Sequence, residues 1–129
     1  MEISYEEISD LREFIFAINR AQDSVIIVEG KRDAAALKSL GITEEILEFH
    51  SFGGITKFAD SVSDYKNLIV LFDFDKKGKY LTKRVIAQLE RRTKIDMSYK
   101  KQLIGITRGK IRAIEELNRY AHHVHSTMM

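Results

Sequence analysis

Two short runs of continuously apolar, mostly β-branched residues constrain this chain most: Val25-Ile26-Ile27-Val28 and Leu68-Ile69-Val70-Leu71-Phe72. A strand with one wet face alternates polar and apolar side chains. A run without alternation is buried on both faces, as in a parallel sheet covered by helices. Each run stops at acids, the first at Glu29-Gly30 and the second at Asp73-Phe74-Asp75. Apolar residues recur at helical spacing around and between them, so strands alternate with helices and the chain is predicted to be α/β.

The remaining elements follow from local signals. Ser4 and Glu7 form a capping box, and Ile8, Leu11, Phe14, Ile15 and Ile18 carry an amphipathic helix over residues 5–20. Arg32–Leu40 reads as a helix closed by Gly41. A second strand is predicted over Ile46–Ser51, ending in Phe52-Gly53-Gly54, then a helix with Phe58, Ala59 and Val62 inward. A long helix from Gly78 to Arg91 turns Leu81, Val85 and Leu89 inward and leaves Lys79, Lys83, Arg84 and Arg91 outside. Thr93–Met97 is a short fourth strand, and Ser98 caps a short helix. Gly109 precedes a last helix with Ile111, Ile114 and Leu117 inward. No repeat, low-complexity tract or Gly/Ser linker divides the chain. The expectation is one three-layer α/β/α domain over residues 1–129, its sheet mainly parallel with about four strands.

Composition narrows the function. With 44% hydrophobic and 31% charged residues the chain can bury a core and stay in solution. It has no apolar run of roughly 18 residues, so no membrane helix is expected. Without cysteine, disulfide frameworks, thiolate zinc sites and cysteine nucleophiles are excluded together. The acidic start, Met1 to Glu7, lacks the basic region of a secretory signal, and a cytoplasmic protein is expected. The net charge of +2 hides a split: residues 1–64 carry 13 acids and 6 bases, and residues 65–129 carry 6 acids and 15 bases. Such asymmetry points to an anionic partner, most often nucleic acid.

The acids stand where parallel sheets build sites, just beyond the carboxyl ends of strands. If the first and third strands are neighbours, Glu29, Asp73 and Asp75 converge. Alternation along an extended segment would put Asp73 and Asp75 on one side and Phe72 and Phe74 on the other. Close carboxylates repel unless a cation intervenes, and all-oxygen donors suit Mg²⁺ or Mn²⁺. The competing reading makes Asp73 and Asp75 helix caps or loop ion-pair partners of Lys76 and Lys77. Gly78 sits where the chain must turn tightly out of the acidic loop.

Val28-Glu29-Gly30-Lys31-Arg32-Asp33 and Leu71-Phe72-Asp73-Phe74-Asp75-Lys76-Lys77-Gly78 resemble the two signatures of the Toprim domain. That domain is shared by topoisomerases, bacterial-type primases, ribonucleases that mature ribosomal RNA, and recombination-repair proteins. The resemblance spans residues 24–92, with residues 5–20 as an N-terminal helix and residues 98–125 as a basic helical extension. The E-G-K-x-D form is most similar to the RNA-maturing ribonucleases and the small stand-alone Toprim proteins. It implies Glu29 as general acid/base near the metal, and Asp73 and Asp75 as the pair that coordinates Mg²⁺. The chain does not include the domain that supplies a topoisomerase tyrosine, or a primase's zinc and helicase-binding domains, so neither of those activities is expected.

Lys31 and Arg32 open a helix, where backbone N–H groups favour phosphate, and Lys31 is a candidate to hold a scissile phosphate oxygen. Lys76, Lys77, Lys79, Lys83, Arg84, Arg108, Lys110 and Arg112 are candidates to hold a nucleic-acid backbone without reading sequence. His122, His123 and His125 read as a frayed tail rather than a metal site. A D-x-D phosphatase would carry its acids after the first strand, not the third. The expected function is therefore Mg²⁺-dependent chemistry on a phosphodiester, nuclease-like hydrolysis of structured RNA or of DNA. A non-catalytic nucleic-acid-binding module within a larger complex is the alternative, and a domain using metal only for stability is a third. A protein partner or homodimer is compatible with each.

Overall fold

The computed structural model describes residues 2–126. Four parallel strands form one sheet: β1 (Ser24–Val28), β2 (Ile46–Glu48), β3 (Asn67–Val70) and β4 (Lys94–Asp96), in the order β2-β1-β3-β4. The first apolar run therefore becomes a central strand beside the second, with Ile27 opposite Val70. Their alternate side chains feed two cores. Ile26, Val28, Ile69 and Leu71 pack with α1 (Tyr5–Ile18), α2 (Lys31–Ser39), α5 (Ser98–Thr107) and α6 (Asn118–Val124). Val25, Ile27, Leu68, Val70 and Phe72 pack with α3 (Ile55–Val62) and α4 (Lys76–Leu89). This is the three-layer arrangement that doubly buried strands require.

The Ser4 capping box forms on both sides: the Glu7 N–H donates to Ser4 Oγ at 3.1 Å, and the Ser4 N–H to Glu7 Oε1 at 3.2 Å. Several boundaries move for local reasons. The second strand stops at Glu48, and residues 49–51 close into a 3₁₀ turn whose His50 N–H donates to the Glu29 carbonyl at 3.0 Å. α4 starts at Lys76 rather than Gly78, because Asp75 caps it by accepting from the Gly78 N–H at 2.8 Å. Ser98 is the first residue of α5, not its cap; the Ser98 N–H and hydroxyl both donate to Asp96. The last helix becomes a 3₁₀ turn, Ile114–Leu117, running into α6.

Two expectations are corrected. Gly78 is buried inside the first turn of α4, not in the acidic loop, and a Cβ there would lie 2.0 Å from the Asp73 carbonyl oxygen. The close approach, not a turn conformation, is what glycine permits. The histidines are not a frayed tail either. Arg12 donates to the Val124, His123 and Ser126 carbonyls at 2.8–3.0 Å, closing the open end of α6, and His125 Nε2 lies 2.6 Å from the Ser39 carbonyl.

Candidate metal and nucleic-acid site

Because β1 and β3 are neighbours, the residues beyond their ends meet. Glu29 is buried, and its Oε2 accepts from the Asp73 N–H at 2.8 Å, so its side chain crosses from one strand end to the other. β3 pairing ends near Leu71, whose N–H donates to the Ile27 carbonyl, and the chain then leaves the sheet. The alternation expected through residue 75 breaks there: Phe72 enters the α3–α4 core, while Phe74 packs toward the opposite one. The cause is the pull of both flanks. Asp75 turns back to cap α4, and the Phe74 N–H donates to the Arg112 carbonyl at 2.7 Å. Asp75 thus has the structural role that the competing reading gave it, but it forms no ion pair with Lys76 or Lys77 among the described residues.

Asp73 Oδ1 accepts from the Ile114 N–H at 2.8 Å. A further acid joins these three. Asp33 sits on the first turn of α2, where its carboxylate accepts from the Gly30 and Glu115 N–H groups at 3.2 Å each. Asp33 belongs to the E-G-K-x-D motif, but its place in the cluster needed the geometry of a helix start, where a residue three beyond the cap folds back toward it.

None of these four carboxylates is in an ion pair among the described residues. The electrostatic consequence falls on Asp73, whose carboxyl is pushed up to about 6. Burial is the largest cause, the Ile114 N–H opposes it, and repulsion from Asp33, Glu29 and Asp75 adds to it. Burial raises Asp33 as well, against the Gly30 amide bond and with repulsion from Glu29.

A hollow of about 310 Å³ opens over this cluster, lined by Glu29, Lys31, Arg32, Asp33, His50 and Asp73. His50, which the sequence reading passed over, is exposed on its rim and fixed through its backbone to Glu29. Behind the acids lies Lys100, only 6% exposed, with its Nζ 3.4 Å from the Asp73 carbonyl and 5.8 Å from the Phe74 ring centroid. Burial lowers its pKa, while Glu29, Asp73 and Asp75 oppose that and Lys79 reinforces it.

The basic candidates divide. Lys31, Lys76, Lys77, Lys79 and Lys83 are exposed and unpaired among the described residues. Arg32 lies 3.9 Å from Glu115, and Arg84 lies over the Tyr80 ring. Arg108 pairs with Glu6 at 3.5 Å on the far side, beside α1. Lys110 is corrected: its Nζ donates to the fully enclosed Glu7 carboxylate and to the Glu2 carbonyl, so it serves as an internal counter-ion. Arg112 is exposed and lines a hollow with Phe74 and Lys79.

Carboxylate oxygens suit a hard divalent cation, and Glu29, Asp73 and Asp75 each keep an oxygen free of hydrogen bonds among the described residues. No group of three or more His, Asp or Glu side chains converges at metal-binding distance among those residues. Mg²⁺ asks for only one or two carboxylates and keeps waters for the rest, so the donor set fits it.

A parallel sheet ordered β2-β1-β3-β4, with a strand-end glutamate touching a D-x-D loop, defines a class. Residues 24–102 match the Toprim domain, and the chain belongs to that family. The match reaches into α5 and so takes in Lys100. The chain is 35% identical over 111 residues to a UPF0292 protein of Thermococcus sibiricus, covering 85% of this chain and 81% of that one. It is 39% identical over 93 residues to a UPF0292 protein of Pyrococcus furiosus, covering 72% and 70%. Among solved structures it resembles a putative protein from Aquifex aeolicus, with TM-score 0.68 and 25% identity over 82% of this chain and 96% of the other. A metal-binding, nucleic-acid-related function goes with the family. No helix among the described residues is long and apolar enough to cross a membrane.

Proposed function

We propose that the protein hydrolyses phosphodiester bonds of RNA or DNA with the help of Mg²⁺ or Mn²⁺. The observation that carries this reading is the Glu29–Asp73 contact at 2.8 Å, which joins the ends of two strands under a hollow rimmed by Lys31 and Arg32. One or two of the carboxylates Asp73, Asp75 and Glu29 would hold the ion, with water completing its shell. A divalent cation bound there would supply polarisation of a phosphoryl oxygen and neutralisation of charge on the leaving oxygen. Glu29 has one oxygen fixed by the Asp73 amide, which leaves the other to take a proton from water or return one to the leaving group. Lys31 lies at the start of α2, where the backbone N–H groups and helix dipole reinforce its hold on a phosphate oxygen. Activity in the cytoplasm, alone or together with a protein partner or second copy, belongs to the same proposal.

The test is incubation of labelled single- and double-stranded RNA and DNA with Mg²⁺, Mn²⁺ or EDTA. Cleavage that needs metal and disappears in Glu29→Gln supports the reading. Binding that is indifferent to EDTA, with no cleavage under any condition, selects the non-catalytic module instead.

A further inference from the structure

The strongest unassigned feature is a trough between α4 and α5. It consists of two adjoining hollows of about 320 and 300 Å³ that share Lys79 and Ile104. Its apolar surface comes from Met97, Ile104, Ile111 and Phe74. Ile104 is 42% exposed, unusual for an isoleucine of a packed helix. The rim is cationic: Lys79 and Lys83 from α4, Lys101 from α5, and Arg112 from the loop beyond. All four are exposed, and none is ion-paired among the described residues. One end adjoins the acidic loop, because Phe74 stands between Asp73 and Asp75 and Lys100, which lines the trough, donates to the Asp73 carbonyl.

We infer that this trough seats one unpaired strand of nucleic acid and leads it to the acidic site. The inference rests on the proposed function and narrows its substrate. Four rim cations, none in an ion pair among the described residues, call for a polyanion, and charge complementarity names a phosphate backbone. An apolar floor with an aromatic residue calls for bases and sugars, not phosphates, at the bottom. A duplex keeps its bases stacked inside and would present only phosphates to this surface. A single strand satisfies both, with phosphates on Lys79, Lys83, Lys101 and Arg112 and a base against Phe74 and Ile104. Arg84 is outside the trough, turned over Tyr80.

The test is binding of fluorescent single-stranded and hairpin oligonucleotides, as RNA and as DNA, to the full chain in EDTA, so that cleavage does not intervene. The single strand should bind more tightly than the hairpin. Lys83→Gln/Lys101→Gln should flatten the log–log salt dependence by about 1.4, at roughly 0.7 per single-strand phosphate. That slope corresponds to about 25-fold in affinity at about 0.1 M salt, relative to 1 M, where it vanishes. The control is Lys38→Gln/Lys94→Gln, which removes the same charge from exposed positions elsewhere and should change affinity much less. Ile104→Ser should weaken the single strand while leaving the hairpin unchanged. Equal or tighter hairpin binding overturns the inference, as does a trough variant that behaves like the control. If the wild type binds no nucleic acid at all, the functional reading falls with it. Binding without strand preference removes only the inference.

Discussion

Replacing Asp73 by asparagine removes one charge from the acidic loop and almost nothing else. Its carboxyl is raised from 3.8 to about 6 by burial and by the neighbouring acids. At 1.36 kcal/mol per unit this amounts to about 3 kcal/mol, but the group is partly open to water, and screening leaves about 1.5 kcal/mol. The unfolded chain releases this proton near pH 4 and the folded one near pH 6. Between those values the folded state binds more protons, so this group's contribution falls as pH rises and stays low above 6. The Asp73→Asn variant has no such proton. In EDTA it should be more stable than wild type by about 1.5 kcal/mol at pH 7–8, with the gain fading to nothing at pH 4 and below. Its amide oxygen can still accept from the Ile114 N–H, now bonded at 2.8 Å. Asp73→Ala cannot, and should be less stable than Asp73→Asn by about 1–3 kcal/mol at every pH. Urea unfolding followed by circular dichroism across that range measures all three. Added Mg²⁺ should stabilise the wild type and not the asparagine variant, because only a state that binds the ion is favoured by it. An asparagine variant less stable than wild type at pH 8 in EDTA, or a gain that persists at pH 4, would refute the argument from crowded carboxylates.

Gly78→Ala should be destabilising by about 2 kcal/mol despite alanine's better helix propensity, because its Cβ would meet the Asp73 carbonyl at 2.0 Å; thermal melts would show it, and metal affinity should fall with no acid altered. Lys110→Met should cost about 3 kcal/mol at pH 7, since it strands the enclosed Glu7 carboxylate beside Tyr120. Burial alone would raise Glu7, but its bonds from Lys110, Tyr120 and Ser4 hold it at about 2, against 4.5 in the unfolded chain. Its contribution is therefore present above pH 4.5 and lost as pH falls through 2, so the gap between Lys110→Met and wild type should narrow in acid unfolding. Glu29→Gln keeps an acceptor for the Asp73 N–H, and should unfold within about 1 kcal/mol of wild type while abolishing metal-dependent cleavage.

The sheet was legible because its signal is local. Val25–Val28 and Leu68–Phe72 lack alternation, and only a doubly covered strand accommodates that. Their adjacency made the Glu29–Asp73 meeting a consequence of topology. Element edges were less legible, because they are set by bonds between distant residues: His50 to Glu29 ends β2 pairing, and Asp75 to Gly78 moves the start of α4 forward. Lys110 was misread for the same reason. As a lysine in a basic stretch it is indistinguishable from Lys83. Only the packing of α1 against the loop after α5 shows that its partner, Glu7, is enclosed. Lys100 was hidden by helical spacing, since nothing in Ser98-Tyr99-Lys100-Lys101 says which lysine faces inward.

The segment that holds Lys110 bears on how the site is built. The segment from Arg108 to Leu117 has no regular structure until its 3₁₀ turn, yet it supplies the Ile114 N–H to Asp73, the Glu115 N–H to Asp33 and the Arg112 carbonyl to Phe74. Each of those bonds holds the acidic loop or the Asp33 carboxylate beside it, and two of them offset carboxylate charge with a backbone dipole rather than a cation. A lysine in their place would neutralise the acids and compete with a metal. Amide donors orient the carboxylates and leave one oxygen of Asp73 open, at the cost of a carboxyl that titrates near 6. The Lys110–Glu7 pair sits a few residues upstream and anchors the same segment to α1. Stability spent on like charges at the strand ends is thus offset by an opposite-charge pair remote from them. The basic C-terminal half then contributes to the acidic site chiefly through its backbone, which leaves the lysines and arginine along the α4–α5 trough free for a ligand.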